Sequence, residues 1–132
     1  MNHVVARFND GRILKGQTND FLPAKDRFHL ALEGQAPGSK PLEVAVSDLN
    51  ALFFVKTLEG HPDHRKINDF EHGKLAPGRK VMVHFKDGET LAGTTQGYQQ
   101  NRPGFFLIPA DGDSNNERCF VVTASAKDVQ LL

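Results

Sequence analysis

Apolar and polar residues alternate along most of this chain. In VVARF (4–8), Val4, Ala6 and Phe8 fall on one side of an extended backbone, and Val5 and Arg7 on the other. Leu14, Gly16 and Thr18 repeat the spacing, as do Phe28 and Leu30. A period of two marks a strand with one buried face. The pattern predicts strands at 3–8, 12–21 and 27–32, and two more in LEVAV and ALFFV. Ser47-Asp48-Leu49-Asn50 is the short turn between the last two. Asp10-Gly11 separates the first two runs, a hairpin signal in which glycine takes the positive φ that the turn requires.

The pattern then returns. Shifted by 77 residues, 4–55 lies on 81–132 without a gap. Val4 meets Val81, Phe8 meets Phe85, and Asp10-Gly11 meets Asp87-Gly88. Leu14 meets Leu91, Gly16 meets Gly93, Phe28 meets Phe105, Leu30 meets Leu107 and Val44 meets Val121. Inward positions are kept while outward ones drift, Arg7 to His84 and Lys15 to Ala92. Strands are therefore expected at 80–85, 89–98, 104–108, 118–123 and 127–131. Gly16 and Gly93 lie inside the second strand of each half, where a glycine marks a bulge or the bend that a small barrel needs to close. The expected fold is mainly β: two tandem five-stranded small, partly open barrels, 1–55 and 80–132. The polar stretch 56–79, broken by Gly60, Pro62, Gly73, Pro77 and Gly78, reads as the linker.

FNDGRILKGQTNDFLPAKDRFHLAL resembles the first motif of Sm-like proteins. That motif is an apolar strand, Asp-Gly, an apolar residue, Gly, an aromatic and a third strand. SDLNALFFV and ASAKDVQLL are similar to the turn into the last strand of that fold. FFLIPAD and SNNERCFVV also make the chain similar to an uncharacterised bacterial family with the same motif pair. The resemblance implies that the two units are Sm-like, SH3-like small barrels that pair edge to edge, the fourth strand of one with the fifth of the next, hence homo-oligomers through edge strands, and single-stranded RNA as a ligand. The chain departs from the Sm-like motif at Leu22 and Gln99, which stand where the family has an acidic residue. The second motif is replaced by Val46-Ser47-Asp48 and Thr123-Ala124-Ser125.

Charge narrows the choice of partner. Lys plus Arg and Asp plus Glu number 16 each in 132 residues. A protein that grips nucleic acid by general electrostatics carries a basic excess, so RNA would need a local patch. The same balance disfavours a polybasic membrane-surface protein, and no apolar run reaches the length of a bilayer span. Cys119 is the single cysteine, which excludes an intrachain disulfide and leans cytoplasmic. MNHVVARFNDGR carries neither a long apolar run nor a cleavage signal.

Lys25, Arg27 and Arg102, with Asn101, share one loop position in the two halves and are the candidate ligand contacts. Phe105, beside Arg102, reads as core, like Phe28. Asp111, Asp113, Asn115 and Glu117 alternate in an oxygen-rich loop, the donor set of calcium. Yet Asn116 and Val122 stand where a calcium loop needs Gly and Glu, so a solvated loop is expected. His61, His64 and His72 cluster in the linker without the fixed ligands that zinc prefers. Cys119 lies in a predicted strand, and neither Ser114 nor Ser125 carries a nucleophile-elbow pattern. No catalytic site, cofactor or resident metal is expected. The leading expectation is a non-enzymatic binding or scaffold module that recognises a protein segment or self-associates. RNA binding is the alternative, and a metal-binding protein using the linker histidines His61 and His64 a weaker one.

Overall fold

The computed structural model describes residues 2–36, 38–56, 78–98, 102–110 and 116–132. The first half contributes β1 (Asn2–Phe8), β2 (Ile13–Thr18), β3 (Arg27–Leu32), β4 (Leu42–Ala45) and β5 (Leu49–Val55). The second contributes β6 (Arg79–Phe85), β7 (Thr90–Thr95), β8 (Gly104–Pro109), β9 (Asn116–Val122) and β10 (Ala126–Leu131). Single 3₁₀ turns, Val46–Asp48 and Thr123–Ser125, precede β5 and β10. Among the described residues, no helix is long and apolar enough to cross a membrane. Most of the expected linker lies outside the described residues.

All pairings are antiparallel, and the strands form one 10-stranded sheet in the order β10-β6-β7-β8-β9-β5-β1-β2-β3-β4. The order within each half is the same. Two tandem five-stranded barrels were expected; hydrogen bonding joins all ten strands in one open sheet, because β5 pairs with β9 across the halves, a fifth strand with a fourth. Ala51 faces Val121, Leu52 faces Phe120 and Phe53 faces Cys119. The cause lies in β5 itself. Its sequence, LNALFFV, is apolar on both faces, and all seven residues are buried. Such a strand belongs in the middle of a sheet, not at an edge.

The alternation of β5 divides the interior in two. Leu52 and Phe54 join Val4, Ala6, Phe8, Phe28 and Leu30 in one apolar cluster. Ala51, Phe53 and Val55 join Val81, Val83, Phe85, Phe105 and Leu107 in the other. β9 does the reverse, sending Phe120 and Val122 into the first cluster and Cys119 and Val121 into the second. Each half thus completes its core with side chains from the other.

The two hairpin turns are built alike. Gly11 and Gly88 have φ of +96° and +93°. The Oδ1 of Asp10 accepts from Arg12 N at 3.0 Å, and that of Asp87 from Glu89 N at 3.0 Å. The ladder between β1 and β2 runs through Gly16 with no register shift, and that between β6 and β7 runs through Gly93 likewise. The expected bulge is absent there; the glycine serves close approach. A Cβ at Gly16 would collide with the carbonyl of Ala31, and one at Gly93 with that of Ile108. The second strands are also shorter than the expected 12–21 and 89–98. Asp20 Oδ1 accepts from Thr18 Oγ1 at 3.1 Å and from His29 N at 2.9 Å. Thr95 Oγ1 donates to Phe106 O at 2.8 Å. These side chains take backbone partners that a longer ladder would use.

Candidate functional site

The connection between β2 and β3 crosses onto the second half. Phe21 drives this: its ring meets Phe28 at 5.4 Å and Phe54 at 5.8 Å, and also Phe120 at 5.1 Å across the seam. All three contacts are edge-on, the arrangement that aromatic quadrupoles favour. The connection is then pinned where Val46 N donates to Asp26 O at 2.9 Å. The equivalent connection of the second half is pinned the same way, Thr123 N to Pro103 O at 3.0 Å.

A groove opens between these two pinned connections. One part, about 190 Å³, is lined by Ala24, Val46, Pro103, Val122 and Ala124, with Lys25, Asp26 and Ser47 as its polar members. It continues past Pro23, Arg102 and Gly104 toward the half-buried ring of Phe106. The walls are mostly apolar, and Lys25 and Arg102 stand exposed along them, one from each half. Such a lining can hold apolar side chains on its floor and carboxylates at its rim.

The structure therefore brings Lys25 and Arg102 to one groove. It does not bring Arg27. That guanidinium donates from Nη1 to Glu43 Oε1 at 2.9 Å, on the β3–β4 surface. Next to it, His29 Nδ1 lies 2.7 Å from Asp20 Oδ2. Partial burial pushes the Asp20 carboxyl up, but the His29 backbone and ring and the Thr18 hydroxyl together outweigh this and hold it below 3.8. The guanidinium of Arg12 and its backbone N–H likewise lower Asp10. Asn101, His61, His64, His72, Asp111, Asp113 and Ser114 lie outside the described residues. Among the described residues, no group of three His, Cys, Asp or Glu could hold a metal.

Phe105 is 3% exposed and packs edge-on against Tyr98 at 4.9 Å. Cys119 is fully buried between the halves. The Ser125 hydroxyl donates to Leu49 O at 2.7 Å, so it ties the second turn to β5. Sequence reasoning missed Phe21, Val46, Pro103 and Val122 as groove or seam residues. It also missed Arg118, whose guanidinium lies 4.4 Å above Phe54 and 5.0 Å from the Phe106 ring centre. One signal was present. Phe106 and Phe120 occupy outward positions where the first half has His29 and Glu43, and such a mismatch in a repeat marks a seam.

The fold and groove define a mainly β tandem-repeat protein whose two halves share one sheet. The chain belongs to a family of unknown function, DUF6982, matched over residues 1–132. No curated protein and no solved structure matches it.

Proposed function

We propose that this chain is a non-enzymatic binding module, two Sm-like units fused side by side, that holds an extended segment of a partner protein in the groove between its halves. The observation that carries this reading is the convergence of two equivalent connections, 23–26 and 102–104, on one apolar floor. Two of the chain's candidate nucleophiles stand apart from the groove: Cys119 is buried, and the Ser125 hydroxyl donates to Leu49 O. Lys25, exposed at the groove, favours a segment that carries an acidic residue beside apolar ones. Arg27 is ion-paired to Glu43 and lies away from this groove.

The test is a random-peptide display selection on the full chain, followed by fluorescence anisotropy with the selected peptide. A labelled mixed-sequence single-stranded RNA is titrated in parallel at two salt concentrations. Ala124→Glu, at an exposed groove position, is expected to weaken the peptide about tenfold, equivalent to 1.4 kcal/mol. RNA is expected not to bind. Peptides indifferent to Ala124→Glu, or salt-sensitive RNA binding with no peptide selected, would overturn the reading.

A further inference from the structure

The seam between the halves is a head-to-tail contact. The last strand of the first half, β5, pairs with the fourth strand of the second, β9. Contacts of this kind do not close on themselves; repeated, they build rings or filaments. The sheet ends in the two strands such repetition would use, β10 and β4. The 77-residue shift places β10 on β5 and β4 on β9. It therefore tells, position by position, whether a second copy could form the same seam.

It could not do so without burying charge. From β5, Ala51 and Phe53 enter the core of the other half. Their places in β10 are held by Asp128 and Gln130, both exposed. From β8 and β9, Phe106 and Phe120 pack against the core of the first half. Their places are held by His29 and Glu43. Gly104 lies beneath Phe120, where a Cβ would strike the Phe120 ring; its counterpart is Arg27, ion-paired to Glu43 at 2.9 Å. His29 adds a 2.7 Å pair with Asp20. A surface of interlocked aromatics on the seam is thus a surface of paired polar side chains at the edge. The backbone agrees. β4 has four residues where β9 has seven, and Pro41, with no N–H to offer, stands at the place of Arg118. Leu42 and Leu132, at the places of Cys119 and Val55, stay apolar and exposed, so the barrier rests on the polar positions.

We infer that β4 and β10 are stop strands: polar substitutions at Glu43, Asp128 and Gln130 confine the head-to-tail seam to one copy, inside the chain. Charged, short and proline-flanked edges resist strand addition because pairing would bury charges without partners. The inference is independent of what the groove binds.

Sedimentation velocity of the full chain tests it. The wild type is expected to keep the mass of one chain as concentration rises. Arg27→Gly/His29→Phe/Glu43→Phe/Asp128→Ala/Gln130→Phe restores these seam residues at both edges, and its weight-average mass is expected to at least double with concentration. Far-UV circular dichroism checks that the variant is folded. In that background, Val129→Cys and Glu43→Cys, in place of Glu43→Phe, should crosslink between chains, because the seam register sets their counterparts Leu52 and Phe120 opposite each other. Two results would overturn the inference: a chain with Val129→Cys and Glu43→Cys as its only changes that assembles and crosslinks between copies, or a folded edge-restored variant that stays a single chain.

Discussion

At the scale of single residues, the glycines inside the strands and one carboxylate carry testable consequences. Gly93 lies where β8 crosses β7, and a Cβ there meets the Ile108 carbonyl and the Leu107 side chain. Gly93→Ala should cost about 1–3 kcal/mol, the usual range for forced overpacking. Urea denaturation would measure it, and a change near zero would mean that β8 yields freely. Asp20 has its pKa depressed in the folded state, so the linkage sign follows. Its contribution to stability is complete above its unfolded value and fades as pH falls through the folded one. The thermal midpoint of the wild type should therefore drop from about pH 4 downward, and Asp20→Asn should drop less over the same window. Parallel curves would remove Asp20 from the balance.

At the scale of elements, β5 is the member on which both cores depend. Phe53→Gln gives it the residue that β10 carries at the matching place. That change both hollows the second core and buries an amide, and should cost about 3 kcal/mol or more. A loss under about 1 kcal/mol would show the second core to be complete without β5. Strands were also the most legible feature of the sequence. The period-two alternation and the paired Asp-Gly turns located them because those signals are local. The sheet order was less legible. Nothing local in ALFFV says which strand will cover its second face; edge-to-edge pairing of the halves was expected from the motif resemblance, whereas the alternation marks only one buried face per strand. Part of the groove was legible too. Lys25 and Arg102 share a loop position, and the repeat exposed it. Val46 and Val122 were hidden because each reads as ordinary core from its own half. The position of Arg27 away from the groove was not legible, because its ion pair with Glu43 depends on the register of β3 with β4, which aligns His29 with Glu43.

At the scale of the whole molecule, the exchange of side chains across the seam couples the halves. Tyr98, the single tyrosine in a chain without tryptophan, packs in the second half only. Far-UV circular dichroism reports on both halves. The two probes should give one coincident transition on heating, the behaviour of a cooperative unit. Separate midpoints would mean that the halves melt independently. The buried Cys119 then acquires a use unrelated to catalysis. It sits on β9 with Phe53 of β5 on one side and Leu107 of β8 on the other, so a thiol reagent can reach it only when the sheet parts beside it. The labelling rate of this one sulfur is a clock for the opening of the molecule, already wound into the native chain.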